Sequence, residues 1–442
     1  MTKIIDKLDT LRKNAGFKKY LKNTSWLFGG NLVNIFASLF VGVWVARYLG
    51  PENLGILSYA QSFTALFLAF STLGLTRILA RDLVKDPNDK YVLLGTSFIL
   101  QTIGSIILMA LLLTTLFLTS DDKFLNKIII ILGSVTFVQS FSVIDVYFQS
   151  IVKSKSMVLV GVISLIISSL LKVILILLEA PLIHFVYVTA IDSITLAIGQ
   201  IYFYKKNKES ILKWSFSLSK AKQLLRDSWP LILSTIIVSI YMKIDQVMLK
   251  EMINNQAVGQ YAAAARLSES WYFIPSIISS SLFPAIVNAK KINEDLYYDR
   301  IQNLYDLMVW LSVAIALPMT FLSNWIVNLL YGSEYYQAGT VLSIHIWAGV
   351  FVFLGVSRGG WIINENLQRF SSLYLGIGMI ANVVLNYILI PINGVIGAAI
   401  ATLASQSISV LFAPFFFKQT RICTYMMLKS LFFVSLFKKI KS

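Results

Sequence analysis

The sequence predicts an all-α membrane protein of about twelve transmembrane helices, arranged as two parallel-repeat lobes of six. Three observations predict it. Of 442 residues, 57% are hydrophobic and only 14% charged, against about 25% charged in a soluble domain, so no soluble domain of this size could cover itself. The apolar residues fall in runs of about 20, the length at which a helix spans the ~30 Å hydrocarbon core of a bilayer. The runs also divide six and six around a basic stretch at 205–227.

The elements follow in order. Segment 1–23 carries Lys3, Lys7, Arg12, Lys13, Lys18, Lys19 and Lys22, with Ile4, Leu8 and Leu11 at helical spacing among them. It reads as a cytoplasmic amphipathic helix in the membrane interface. The first lobe, 24–204, holds apolar runs at 24–46, 55–76, 91–118, 128–149, 157–178 and 182–204. Linker 205–227 sets Trp214, Phe216 and Leu218 among six lysines and Arg226. It is either a second interfacial segment or a solvated basic loop. The second lobe, 228–417, holds runs at 228–250, 260–287, 301–323, 339–362, 370–391 and 394–417. The basic tail, 418–442, has a short apolar part at 421–437 interrupted by Lys429, expected to lie in the interface. Barrel strands would alternate over ~10 residues, and these runs do not.

Lys and Arg orient the spans. With the N-terminus cytoplasmic, 30 of the 38 basic residues fall in cytoplasmic segments, including loop 77–90, and four (Arg47, Lys123, Lys127 and Lys250) fall outside. This positive-inside asymmetry puts both termini in the cytoplasm and gives the net charge of +16 a topological cause, in place of nucleic-acid binding.

Self-similarity supports the repeat. Leu54-Gly55-Ile56-Leu57-Ser58-Tyr59-Ala60 matches Val258-Gly259-Gln260-Tyr261-Ala262-Ala263-Ala264 at an offset of 204. Ile174-Leu175-Ile176 matches Ile388-Leu389-Ile390 at an offset of 214, which aligns Lys172 with Asn386. Six spans per repeat leave both repeats facing the same way.

The chemistry available is narrow. The single cysteine, Cys423, allows no disulfide framework, and His184 and His345 stand far apart in apolar stretches, so no metal or haem site is expected. No phosphate-binding loop, GxSxG elbow or HExxH motif is present, and no catalytic residue is assigned. The longest external loop, 324–338, carries one acid, Glu334, where a membrane polymerase or ligase would need a large catalytic loop. The protein is expected not to be an enzyme.

A charge at mid-membrane costs about 2.5–3.5 kcal/mol on the insertion scale, so charges inside spans need partners, water or a function. They are Asp145, Lys172, Asp192, Lys243, Asp245, Arg266, Glu269 and Arg358. Asp145 and Arg358 stand near cytoplasmic ends and are expected to snorkel to the interface. Asp192 is near the middle of its span. Lys172, Lys243, Asp245, Arg266 and Glu269 lie in the outer half of theirs. Three cations suit an anionic substrate, especially phosphate. The acids either bind a coupling proton or sodium ion or pair locally, Glu269 with Arg266 three residues away.

Two stretches identify a family. The first is Ala46-Arg47-Tyr48-Leu49-Gly50-Pro51-Glu52-Asn53-Leu54-Gly55, followed by Gly74-Leu75 and Arg77-Ile78-Leu79-Ala80-Arg81-Asp82. The second starts at Trp229-Pro230-Leu231. It runs through Tyr241-Met242-Lys243-Ile244-Asp245-Gln246-Val247-Met248-Leu249 and Ala265-Arg266-Leu267-Ser268-Glu269-Ser270 to Trp271-Tyr272-Phe273-Ile274-Pro275. Together, over about 20–420, they resemble the polysaccharide flippases that move O-antigen repeat units, within the multidrug, oligosaccharidyl-lipid and polysaccharide exporter superfamily.

The resemblance implies two six-helix lobes around a central cavity. It implies alternating access that moves undecaprenyl-diphosphate-linked oligosaccharide from the cytoplasmic to the periplasmic leaflet of a bacterial inner membrane, without a cofactor beyond a coupling Na+ or H+. It makes Lys243, Arg266, Tyr241 and, by depth alone, Lys172 the expected diphosphate or sugar contacts, and Arg77 and Arg81 contacts at entry. Asp245, Glu269 and Asp192 are the expected coupling or pairing acids. Membrane lipids are expected partners, with a polysaccharide polymerase and a chain-length regulator as further ones and no nucleic acid. A drug or cation exporter of the same superfamily, the competing expectation, would carry a mainly acidic cavity.

Overall fold

The computed structural model describes residues 15–432, and every regular element among them is helical. The interfacial helix expected at 1–23 falls mostly outside the described residues, as does the end of the tail. The main helices are α1 (Ala15–Thr72), α2 (Leu75–Lys85), α3 (Lys90–Thr119), α4 (Lys123–Gln139), α5 (Val143–Ser150), α6 (Lys155–Leu177) and α7 (Leu182–Lys206). They continue as α8 (Leu218–Met252), α9 (Asn255–Glu269), α10 (Phe273–Lys290), α11 (Glu294–Tyr331), α12 (Ala338–His345), α13 (Ala348–Asn364), α14 (Gln368–Ser407) and α15 (Arg421–Leu431).

Ten helical runs among the described residues are long and apolar enough to cross a membrane. Two are far too long for one crossing. Asn23–Lys85 has 63 residues and Gln368–Phe415 has 48, or roughly 95 and 70 Å at 1.5 Å per residue, against ~30 Å of hydrocarbon. Each contains two of the twelve apolar segments read in the sequence, and each breaks where a glycine supplies a backbone closed to L side chains: Gly50 (φ 67°, ψ 171°) before Pro51, and Gly394 (φ 57°, ψ −135°) after Pro391.

The chain forms two compact units that do not divide at its midpoint. One comprises residues up to Val45 and Thr64–Ile236; the other comprises Ala46–Phe63 and the chain from Ile237 onward.

In the first unit, Leu79, Leu83, Leu93, Leu94, Ile144, Tyr147 and Tyr204 share a buried core. Region 77–90, expected as a loop, is largely the helix α2. Its apolar residues Leu75, Ile78, Leu79 and Leu83 are spaced for one face and are buried. Linker 205–227 is likewise helical from Leu218. The part before Leu218 is pinned by Glu209, whose carboxylate accepts from Lys90 Nζ (2.6 Å), Tyr91 Oη (2.8 Å) and Tyr147 Oη (2.8 Å). Trp214, expected either in the interface or in a solvated loop, packs at a tilt against Phe98 and donates to Tyr204 Oη (3.1 Å).

In the second unit, Tyr297, Tyr305, Met308, Phe353, Leu354 and Met427 belong to one core. The tail helix α15 joins that core through Cys423, Met426 and Met427, with Gln302 Nε2 donating to Met426 O (3.0 Å) and Ser430 Oγ to Asp306 Oδ1 (2.7 Å). One face of it is therefore packed against protein, while Ile422 and Tyr425 stand exposed on the other. The external loop expected at 324–338 is shorter than that, because α11 continues to Tyr331.

Candidate functional site

Asp245 organises the second unit's interior. It lies seven residues before the end of α8 and is 4% exposed. A carboxylate so placed is costly unless donors surround it. Three do: Tyr261 Oη (2.8 Å) and Thr402 Oγ1 (2.8 Å) donate to Oδ2, and Asn386 Nδ2 donates to Oδ1. Among the described residues no Lys or Arg forms a salt bridge with it.

Local structure explains how these groups meet. Asn254 caps α9 by accepting from the backbone N–H of Ala257 (2.9 Å), which sets Tyr261 on the buried side of the following turns. Asn382 and Asn386 are four apart on the first part of α14 and share a face. The kink at Gly394 returns the chain, so that Thr402 and Ser405 meet that face: Asn382 Nδ2 donates to Ser405 Oγ (3.3 Å). All four residues are buried.

Two acceptors in this group are orphaned. The side-chain oxygens of Asn382 and Asn386 are buried and accept no hydrogen bond. A lone orphan of this kind costs about 1–3 kcal/mol. Two of them on the helix face that meets Asp245, together with a carboxylate and hydroxyls, form a set of hard oxygen ligands. Such a set suits an alkali cation or a proton-carrying carboxyl better than a transition metal.

The predicted cations divide between the units. Lys243 and Arg266 are half-buried on α8 and α9, and Glu269, a turn beyond Arg266, lies within electrostatic reach of Lys243, Asp245 and Arg266. Tyr241 is 5% exposed and lies one turn before Asp245, where Gly378 of α14 passes close to its ring. These residues belong to the second unit. Lys172 and Asp192 belong to the first. There Ser164 Oγ donates to Asp192 Oδ1 (2.6 Å), a local pairing. Arg77 and Arg81 are exposed on α2, where Arg81 bridges Asp82 (2.7 Å) and Asp227 (2.6 Å).

Arg358 corrects the sequence reading. Instead of snorkelling it is 5% exposed. Its Nη1 donates to Val410 O (2.9 Å) and its guanidinium stacks 5.0 Å from the centre of the Tyr374 ring. Asp145, the other residue expected to snorkel, is half-buried and accepts from Gln149 Nε2 (3.0 Å).

Asn382, Asn386, Thr402 and Tyr261 were not singled out from sequence as site residues. The signal was there in part: two amides four apart interrupt the apolar run at 370–391. His345, far from His184 in an apolar stretch, is buried, with Nδ1 3.0 Å from Ser268 Oγ and its ring edge-on to Tyr261.

Comparisons with known proteins give the family and the fold. A family model described as "Polysaccharide biosynthesis protein" matches residues 20–290, and one described as MatE matches 230–388. The capsular polysaccharide biosynthesis protein CapF of Staphylococcus aureus is 21% identical over 409 residues, covering 90% of this chain and 99% of its own. The putative O-antigen transporter of Shigella dysenteriae is 21% identical over 266 residues, 60% of this chain and 66% of its own. The probable low-salt glycan biosynthesis flippase Agl15 of Haloferax volcanii is 26% identical over 220 residues, 49% of this chain and 45% of its own. Among solved structures, an inward-facing multidrug resistance MATE family transporter of the MOP superfamily superposes with a TM-score of 0.67 (16% identity, 92% of this chain and 96% of the other). The lipid II flippase MurJ in an inward closed conformation superposes with a TM-score of 0.65 (16% identity, 94% and 92%). Both share the fold.

Proposed function

This chain belongs to the polysaccharide biosynthesis protein family of MOP-superfamily flippases, and from that premise we propose that it transfers undecaprenyl-diphosphate-linked oligosaccharide from the cytoplasmic to the periplasmic leaflet by alternating access. The cargo is a surface-polysaccharide repeat unit of the O-antigen or capsular kind, the subject of the names its relatives carry. The membrane is the bacterial inner membrane, with both termini on the basic, cytoplasmic side. A polysaccharide polymerase and a chain-length regulator would take up the product.

One observation supports the mechanism most: Asp245 and its donor Tyr261 stand on the same helix pair, α8 and α9, that carries Lys243 and Arg266, with Glu269 in reach of Lys243, Asp245 and Arg266. Lys243 and Arg266 would hold the diphosphate, Arg266 through its bidentate fork. Tyr241 would contact sugar. Asp245, with the orphaned oxygens of Asn382 and Asn386, would hold a sodium ion or a proton. Binding there changes charge in the site that holds the anion, which is how an ion gradient would bias anion binding and release. Arg77 and Arg81 would meet the diphosphate at the membrane surface.

The similarity to a MATE transporter keeps a second reading, export of an organic cation. The two readings differ in the sign of charge they need beside the cargo, and Lys243 and Arg266 favour an anion. The test is deletion of the gene, followed by measurement of lipid-linked repeat units on each leaflet. A flippase predicts accumulation on the inner leaflet, reversed by the wild-type gene. Normal leaflet distribution together with increased retention of organic cations would select the exporter.

A further inference from the structure

The connection between α7 and α8, residues 207–217, is tied to the first unit along its length, yet it turns apolar side chains outward. Lys208 takes a left-handed backbone (φ 63°), and the N–H groups of Lys208 and Glu209 bond back to Lys205 O (2.9 Å) and Tyr204 O (3.2 Å), which ends α7 sharply. Glu209 is then fixed by Lys90, Tyr91 and Tyr147, and Trp214 by Tyr204. The backbone N–H of Ser215 donates to Tyr91 O (3.3 Å) and that of Ser217 to Thr96 Oγ1 (3.1 Å). What these ties leave outside is apolar: Leu212 is 97% exposed, Phe216 47% and Leu218, the first residue of α8, 61%.

Depth selects lipid over water as the setting of these side chains. Trp214 reaches Tyr204, two residues inside the end of α7, so the chain doubles back and stays close to the ends of the spans. A headgroup layer adds about 5–7 Å to each side of the hydrocarbon core, and one helical turn rises about 5.4 Å. Tyr202, a turn before the end of α7, is 58% exposed, in the position of an interfacial aromatic residue. Charge points the same way. Lys205, Lys206, Lys208 and Lys213 are exposed, on the side that the Lys and Arg distribution assigns to the cytoplasm. Glu209, the one acid between residues 205 and 217, is paired with Lys90 (2.6 Å). Exposed apolar side chains among lysines match a surface that is apolar within and anionic at its face.

We propose that this connection is a binding surface for anionic phospholipid, in which Leu212 and Phe216 enter the headgroup–acyl boundary of the cytoplasmic leaflet and Lys205, Lys206, Lys208 and Lys213 hold lipid phosphates. The proposal is independent of the cargo. The ties at Glu209, Trp214, Ser215 and Ser217 set the segment in one shape before lipid arrives, so little ordering is required on contact. The lysine stems lie along apolar surface and their ammonium groups reach the phosphates.

The test uses the full chain with Cys423→Ala and Leu212→Cys, labelled with a polarity-sensitive thiol dye and reconstituted in phosphatidylcholine vesicles with and without phosphatidylglycerol. A nitroxide lipid labelled high on its acyl chain should quench the dye, and aqueous iodide should quench it poorly. Phosphatidylglycerol should raise the lipid quenching about threefold, and the combined Lys205→Gln, Lys206→Gln, Lys208→Gln and Lys213→Gln variant should lose that rise. The water reference is the same dye on Asn88→Cys, an exposed position in the turn Pro87–Asp89 beside Asp86 and Asp89, where iodide should quench freely. Iodide quenching at position 212 equal to that at position 88 overturns the membrane contact and leaves the surface to a soluble partner. Lipid quenching that is indifferent to phosphatidylglycerol, or a rise that survives the four glutamines, overturns the phosphate contact.

Discussion

Asn386 donates its side-chain amide to the carboxylate of Asp245, a residue 141 positions earlier in the chain, and leaves its own side-chain oxygen without a donor. That geometry gives the first prediction. Asp245→Asn keeps the shape of the group and removes its charge. The variant should reach the membrane at the wild-type level and export at least tenfold less polysaccharide, the effect of about 1.4 kcal/mol in a coupling step. The measurement is surface polysaccharide in a complemented deletion strain, normalised to membrane-fraction protein. Wild-type export would remove Asp245 from the mechanism. Replacing sodium with choline, or collapsing the proton gradient, then identifies the ion.

Lys243→Ala and Arg266→Ala should each depress export while leaving insertion intact. Arg266→Lys discriminates between two kinds of contact. If the residue supplies charge alone, lysine should restore most of the activity; if it grips a diphosphate with two parallel N–H groups, lysine should restore little. Full export by the Lys243→Ala, Arg266→Ala double variant would end the cationic-site assignment.

Residue types carried part of this structure openly. Run length and composition suffice to mark an all-helical chain with many long apolar helices, and Gly50-Pro51 and Pro391–Gly394 mark where two long helical runs break. What the sequence hides is the direction in which a side chain points. Depth along a span placed Arg358 near water, and the fold buries it against Tyr374. Asn382 and Asn386 went unread because an amide in an apolar helix has many uses, and only the return of α14 past Gly394 sets Thr402 and Ser405 against them. The partners of Asp245 come from α9 and both parts of α14, and spacing along one helix cannot reveal them.

The Glu209 hub predicts an acid limit to stability. Burial on its own would raise this carboxyl, but hydrogen bonds from Lys90, Tyr91 and Tyr147 outweigh it and hold the folded group below its ordinary value. A depressed acid contributes stability that is fully present above its unfolded pKa, about 4.3, and is lost as pH falls through the folded value. Thermal unfolding of the detergent-solubilised protein should therefore show a midpoint that drops as pH is lowered below about 4.3. Glu209→Gln should melt lower at neutral pH, by roughly 1–3 kcal/mol of lost charge-assisted bonding, and should show a shallower acid drop. An unchanged acid limb in that variant would mean that other carboxylates set it.

Arg358 gives the last prediction, which turns on what a buried cation needs. Among the described residues it forms no ion pair; it is held by the carbonyl of Val410 and the face of Tyr374, and its Nε has no partner. Val410 lies in the π-helical stretch Ile408–Phe412, whose wider turn leaves a carbonyl free to accept from a side chain. Arg358→Met removes the charge, keeps the bulk, and orphans one carbonyl, at roughly 1–3 kcal/mol. Arg358→Lys keeps a buried charge but gives up the planar face, and with it a desolvated cation–π contact of about 2 kcal/mol. An ammonium ion is also more strongly hydrated than a guanidinium, so it is the harder cation to bury. The expected order of thermal stability in detergent is therefore Arg, then Met, then Lys, with Met and Lys exchanged relative to the order that conservation of charge would suggest. A lysine variant as stable as wild type, with methionine the least stable, would mean that this position reaches water and that the buried geometry does not govern it.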